Sequence, residues 1–314
     1  MSQSPAVALD AAGGFVCIDK PTGWTSHDVV ARVRRILGTR RVGHAGTLDP
    51  LATGVLVLGV GRATRLLGAI SDEAKTYEAI FRLGETTTTD DAEGESVEVH
   101  DAGGVQRSDL EAAIAQFRGE IPQRPSSVSA IKVAGRRAYD RVRAGEQVVL
   151  PARTVHIFDF QITEFSPGNP DVAVRVRCSS GTYVRALARD VGAVLGVGAH
   201  VIELRRTAIG PVTVEDCQTM ADFAANPRVG TIAAVAPAWL PTVTVAADEA
   251  ADLSHGRATP TPADLALTDH TPTPVLVLGP TGDVVCQARA DHGMLHPTVV
   301  FAEPYPYRRK DITP

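Results

Sequence analysis

The sequence predicts an α+β fold: a mixed, largely antiparallel sheet with flanking helices, followed by a small β-rich unit. Segments with strand character outnumber helical ones and are often adjacent in the chain, whereas a doubly wound sheet would alternate the two. The helical segments arrive at irregular intervals. From about Asn226 the composition shifts to a linker-like stretch, "ANPRVGTIAAVAPAWLP", and then to short strands around a Pro/Thr-rich segment. With 314 residues and 44% hydrophobic content the chain can build two cores. The expected division is a loose tail over 1–12, a main domain over 13–235 and a second domain over 236–314.

Taken in order, "GGFVCIDK" reads as a strand and "PTGW" as a turn. Thr25 with Asp28 three residues on forms a capping box, and Val29, Val33, Ile36 and Leu37 give one apolar helical face that stops at Gly38. Past the "GHAGTLDPLATG" loop, "VLVLGVG" is a buried strand and "ATRLLGAI" a short helix. "KTYEAIFRLG" alternates with period two, placing Tyr77, Ala79, Phe81 and Leu83 on one side. A polar, acidic loop follows up to Gly104. Ser108 and Glu111 then form a second capping box for a helix carrying Leu110, Ile114 and Phe117, closed at Gly119. "SVSAIKVAGRRAYDRVRAGE" reads as strand, turn and basic helix, "ARTVHIFDFQITEF" and "DVAVRVRCSSG" as strands, "TYVRALARDVGAVLG" as a helix and "AHVIELRRTAIG" as a strand. In the second unit "ADEAADLSHG" is a short helix, "PVLVLGPTGDVVCQARA" a hairpin and "HPTVVFA" a last strand.

The net charge of -5 argues against a protein that coats nucleic acid by bulk charge, so any polyanion site must be a local patch. Cys17, Cys178, Cys217 and Cys286 are scattered without a CxxC pair, so neither a disulfide framework nor a metal site is expected. The opening residues lack a basic start followed by an apolar run, and no window reaches the roughly 18–20 apolar residues of a membrane span. A soluble, cytoplasmic protein with no membrane partner is expected. Only Lys20, Lys75, Lys132 and Lys310 are lysines among 31 basic residues, a bias that reflects genome composition and says little about ligands.

Residues 31–70 hold seven arginines and one acid, Asp49. Such a patch attracts phosphate; an Arg-rich solvated face reads equally well from composition. Surrounding positive charge favours the ionised carboxylate, and an anion placed where an anion would bind costs affinity, which points to chemistry. A loop Asp that caps the next turn is the plainer alternative. The stretch from Lys132 to Arg143 is a second basic surface, open to the same two readings.

"GHAGTLDPLATGVLVLGVGRATR" resembles the catalytic motif of the TruB family of pseudouridine synthases. "CIDKPTGWTSHDVV", "KTYEAIFRLGETTTTDDAEG", "FRGEIPQRPSSVSAIKVAGRRAYDRVRAGE", "CSSGTYVRALARDVGAVLG" and "AHVIELRRTAIG" resemble further family segments in family order, over roughly residues 14–220. The resemblance implies a sheet of the pseudouridine synthase type, a PUA-like C-terminal RNA-binding domain, and isomerisation of uridine 55 in the T-arm loop of tRNA. It implies a catalytic set of Asp49 as nucleophile, Tyr77 against the extracted base and Arg185 paired with the Asp. It further implies that Tyr183 and Leu204 line the base pocket, that His44 contacts the RNA loop, and that Lys20 and Lys132 are structural or substrate-binding. No cofactor, metal or guide RNA is implied, and a monomer is expected. A carboxylate can attack the sugar or the base and split one hard step into two; the sequence leaves that choice open. A glycoside hydrolase, which needs two carboxylates about 5–9.5 Å apart, and a non-catalytic RNA-folding protein are the rival readings.

Overall fold

The computed structural model describes residues 13–126, 132–133, 136–137, 151–262, 265 and 272–301. The expected tail over 1–12, the basic helix before residue 150 and most of the Pro/Thr-rich segment lie outside the described residues. The main sheet is mixed and largely antiparallel. Its strands are β1 (Gly13–Lys20), β2 (Val42–His44), β3 (Thr53–Gly61), β4 (Lys75–Leu83), β7 (Gly119–Gln123), β10 (Arg153–Glu164), β11 (Asp171–Cys178) and β12 (Ala199–Ile209). The order across it is Gln218–Thr219, β1, β3, β12, β4, β11, β10, β7, with β2 on β3. Two of its pairings are parallel, Gln218–Thr219 on β1 and the short junction of β3 with β12. Two hairpins stand apart: β5 (Glu85–Thr87) with β6 (Ser96–Val99), and β8 (Lys132–Val133) with β9 (Arg136–Arg137).

Helix α1 (Ser26–Leu37) carries the expected box: the Thr25 N–H donates to Asp28 and the Asp28 N–H to the Thr25 hydroxyl, at 2.9 and 3.1 Å. It ends at Gly38 with φ 64°, the left-handed cap that glycine adopts without strain. The "ATRLLGAI" segment becomes a tight 3-10 turn over Arg62–Leu66 followed by α2 (Leu67–Asp72). Along β4 the period-two pattern holds: Tyr77, Ala79, Phe81 and Leu83 are all buried. They pack with α3 (Arg107–Ala115) and α4 (Val184–Leu195) in one apolar cluster, where each fully buried Val or Leu stabilises by about 1.5–3 kcal/mol.

Two expectations need correction. Helix α3 is capped at Gln106, ahead of Ser108, because the Gln106 N–H finds Asp109 at 3.0 Å, and it ends at Ala115; Ser108 and Glu111 lie inside it. The acidic loop after β4 contains the β5–β6 hairpin. Val97 and Val99 there are exposed, so the hydrophobic alternation that marks a half-buried strand is missing.

The C-terminal part forms a five-stranded sheet in the order Thr242–Thr244, Thr273–Leu278, Val284–Asp291, Met294–Val300, Thr259–Pro260, with the helix Ala247–Ser254 against it. It shares a core with the main sheet. Trp239, Leu240, Leu276 and Phe301 are buried in the same cluster as Phe15, Ala45 and Val57, the Phe15 and Trp239 rings meet edge-on at 5.6 Å, and Arg62 donates to the Phe301 carbonyl. No helix among the described residues is long and apolar enough to cross a membrane.

The parallel junction fixes the centre of the sheet. Thr53 and Gly54 pair with Arg205 and Arg206, and Gly54 has φ 99°. A Cβ on Gly54 would lie 2.1 Å from the Arg206 carbonyl oxygen. Gly54→Ala should therefore destabilise the protein by about 3 kcal/mol or more, since a strained φ alone costs of order 1–3 kcal/mol and the clash adds to it. Denaturant unfolding of the variant beside the wild type reads this directly.

Candidate active site

The loop that carries Asp49 is tied down on both sides. Buried Ser26, the first residue of α1, accepts from the Leu48 N–H (2.9 Å) and donates to the Leu48 carbonyl (3.1 Å). The Pro50 carbonyl accepts from the Gly23 N–H at 2.9 Å and from Lys20 Nζ at 3.2 Å, while Thr22 donates to the Leu51 carbonyl at 3.2 Å. The residues flanking Asp49 are thus anchored to the β1–α1 turn, and its side chain stays 37% exposed. A reactive group held this way has little freedom to lose on reaching its reacting geometry.

Asp49 faces a cleft of about 240 Å³ lined by Gly46–Asp49, Ser71, Lys75, Tyr77, Gly181–Arg185, Leu204 and Arg206. Among the described lining residues it is the single carboxylate, beside three cations, Lys75, Arg185 and Arg206. Arg185, near the start of α4, brings Nε to 3.0 Å from Asp49 Oδ2. Its Nη1 donates to the Thr89 carbonyl at 2.8 Å and to Asp91 Oδ2 at 2.9 Å. Asp91 is itself 2% exposed and accepts at Oδ1 from the Thr89 hydroxyl (2.5 Å) and the Glu93 N–H (3.0 Å). The guanidinium is therefore bracketed by two carboxylates: an inner one that fixes it and an outer one that it orients.

Tyr183 and Leu204 also line the cleft. Gln123, fully buried at the end of β7, clamps Tyr183 by accepting from its N–H at 2.8 Å and donating to its carbonyl at 3.0 Å. The Arg153 guanidinium lies 5.8 Å from the Tyr183 ring centroid. Leu204 sits opposite Ala79 on the buried face of β12, beside Tyr77. Burial pushes the Tyr77 phenol above its ordinary pKa, with the neighbouring Arg206 charge opposing, so the ring enters the site neutral.

The remaining expected site residues lie elsewhere. Lys20, expected as structural or substrate-binding, is fully buried, and its ammonium donates to the carbonyls of Pro21 (2.9 Å), Trp24 (2.6 Å) and Pro50 (3.2 Å). It braces the Asp49 loop from below; burial lowers its pKa to about 8, against the attraction of Asp49 and Glu93. His44 ends β2 outside the cleft, its ring edge-on to His27 at 5.6 Å. Lys132 lies in β8; its side chain is outside the described residues. Arg32, Arg34, Arg35, Arg40, Arg41 and Arg65 are exposed, whereas Arg62 is half-buried against Phe301.

Burial above all, then the nearby His27 and Arg206 charges, lowers the His44 pKa to about 4. In the unfolded chain the imidazole titrates near its ordinary 6.5, so between pH 6.5 and 4 the unfolded state takes up a proton that the folded state refuses. Stability tied to His44 is present above pH 6.5 and is lost as pH falls. The wild type should lose more unfolding temperature between pH 7 and pH 4 than His44→Gln does in parallel melts.

Sequence reasoning passed over Asp91 and Arg206. Asp91 lay among several acids in a loop read only as polar and acidic. Arg206 could have been found, because two-residue spacing from Leu204 puts a charge on the buried face of β12. Among the described residues no cluster of His, Cys, Asp or Glu suits a metal ion.

Comparison with known proteins points the same way. The TruB family pseudouridylate synthase N-terminal-domain model matches residues 34–184, and the tRNA pseudouridylate synthase B C-terminal-domain model matches residues 185–229. A tRNA pseudouridine synthase B of Thermobifida fusca (strain YX) is 51% identical over 297 residues, covering 93% of this chain and 99% of the relative. One from Arthrobacter sp. (strain FB24) is 49% identical over 298 residues, covering 92% and 96%. Among solved structures, a Cbf5-Nop10-Gar1 complex contains a chain that superposes with a TM-score of 0.74 at 27% identity, covering 98% of this chain and 93% of that one.

Proposed function

We propose, for a chain that belongs to the TruB family of pseudouridylate synthases, that it isomerises uridine 55 in the T-arm loop of tRNA to pseudouridine, with Asp49 as nucleophile on a flipped-out nucleotide. The observation that carries this reading is the lone carboxylate on a small cleft, oriented by a buried guanidinium at 3.0 Å. The cleft falls below the roughly 300–1,000 Å³ of drug-sized pockets, which suits one planar base.

In the proposed reaction the Asp49 carboxylate bonds covalently to the nucleotide and the bond from ribose to N1 breaks. The freed base turns, its C5 bonds to the ribose, the carboxylate leaves, and the C5 proton is lost while N1 takes one up, so that the product is an isomer of the substrate. Atoms and charge balance without an oxidant, and the reading calls for no cofactor. Tyr77 packs on the base and is placed to share in the C5 proton transfer, Tyr183 and Leu204 wall the pocket, and His44 meets the RNA loop as a neutral ring. Extrusion of the base costs a few kcal/mol, offset by contacts to T-arm shape and phosphates, for which the exposed arginines from Arg32 to Arg65 are suited. The proposed division is a synthase domain over 13–235 and a PUA-like RNA-binding domain over 236–314, in a cytoplasmic monomer working without a guide RNA.

The two-carboxylate alternative is poorly served, since Asp91 stands behind the Arg185 guanidinium and lines no part of the cleft. Tritium release from a T-arm RNA labelled at uridine C5, with pseudouridine identified at position 55 by mass-shifting chemistry, tests the proposal. Wild-type protein that releases no tritium from such RNA refutes it.

A further inference from the structure

Arg206 is the fully buried cation of the cleft that no carboxylate pairs with among the described residues. It is 1% exposed, whereas the neighbouring Arg205 faces outward to a two-pronged pair with Asp19 at 2.7 and 3.0 Å. A guanidinium enclosed without an acid is expensive to desolvate, so its hydrogen bonds indicate what it does. Nε donates to the Val55 carbonyl at 2.8 Å, at the start of β3, and Nη2 to the Gly46 carbonyl at 3.1 Å, three residues before Asp49. Arg206 is also the direct cross-strand partner of Tyr77, the two side chains line the same cleft, and the guanidinium charge acts on the phenol against the effect of burial. One planar group therefore ties the Asp49 loop to the strand that follows it, beside the tyrosine that lines the cleft with the nucleophile.

We propose that Arg206 is a positioning residue for the reaction, holding the Tyr77 hydroxyl and the Gly46–Asp49 loop in fixed relation. The inference rests on the reading of Asp49 and Tyr77 given above. The five-donor fork of arginine can reach all three partners at once, and a lysine ammonium on a single stem cannot. Gly46 fits this role: its φ of 87° is a left-handed backbone that favours glycine, and a Cβ there would stand in ordinary contact with Arg206 Nη1 at 3.4 Å, so the loop lies directly against the guanidinium. The titratable groups whose charge acts on the Tyr77 hydroxyl are Arg206 from β12, Cys178 from β11 and Asp49 from the loop. Lys75, on the same strand as Tyr77, directs its ammonium away to the carbonyls of Ser71 and Glu73 at 2.5 and 2.7 Å. Arg206 is thus the cation that can both orient the phenol and steady negative charge on its oxygen while a proton is shared.

The test is single-turnover tritium release and RNA binding with Arg206→Lys and Arg206→Gln, each also combined with Tyr77→Phe. A misplacement of about 1 Å costs on the order of 10²-fold in rate, so both variants should lose about 10- to 100-fold in the bound-state rate, with RNA affinity held within about 2-fold. In the Tyr77→Phe background the further loss from Arg206→Gln should shrink to about 3-fold or less, because the two act as one unit. Variants that turn over at the wild-type rate, or whose losses multiply fully with Tyr77→Phe, overturn the inference. Failure of both variants to fold leaves Arg206 a purely structural residue and overturns it too. Wild type and Asp49→Asn run in the same assay. An inactive wild type sinks the functional reading itself, whereas an active wild type beside an inactive Asp49→Asn upholds that reading and leaves the rates of the Arg206 variants to decide the positioning role alone.

Discussion

Asp49→Asn is expected to lower the single-turnover rate of pseudouridine formation by a factor on the order of 10⁴ or more while RNA affinity changes only a few-fold. Removing a nucleophile from a working unit costs on that scale because the remaining groups have nothing to act through. The amide matches the carboxylate in shape, and the Leu48, Pro50 and Leu51 backbone bonds that hold the loop do not involve the Asp49 side chain. Fold and binding should therefore survive. Affinity should tighten slightly, since one negative charge leaves a surface whose exposed arginines are proposed to meet phosphate. Filter binding and tritium release on the same preparation separate the two effects.

Arg185→Met should be nearly as damaging and should also unfold more easily. The substitution leaves Asp91, 2% exposed, without its cation, and stripping one partner from a buried pair costs about 3–5 kcal/mol. Turnover should fall by about 10³-fold or more, because the outer carboxylate loses the group that orients it. The double variant Arg185→Met with Asp91→Leu separates the two losses. It should regain most of the lost stability, since apolar replacement of a buried pair is often neutral, and none of the lost turnover. Thermal melts and rates on the three proteins decide whether the Asp91–Arg185 pair serves chemistry or the core.

The strands of the main sheet could be read from the sequence because period-two alternation in β4 and continuous apolar runs in β3 reflect burial directly. α1 could be read because both halves of its capping box stand in the sequence three residues apart. The β5–β6 hairpin could not, since Val97 and Val99 face solvent and no apolar alternation marks its strands. Asp49 stood out as the one acid in a cationic stretch. Asp91 did not: it comes from a loop far along the chain and meets Arg185 only because Asp91 bridges to Val201, which β12 holds near α4. Lys20, expected as structural or substrate-binding, was legible only in part. The sequence leaves those two readings open, and only the fold reveals three carbonyls converging where its ammonium lies.

The apolar seam that joins Phe15 and Ala45 to Trp239, Leu276 and Phe301 has a mechanical consequence. Ala45 follows His44 directly, so the wall to which the proposal assigns the RNA loop is backed by the same apolar layer that seats the C-terminal sheet. Any swing of one half against the other would have to open this buried apolar contact to water. An elongated substrate touching both halves would meet a fixed ruler, and any bending needed to fit would fall on the nucleic acid.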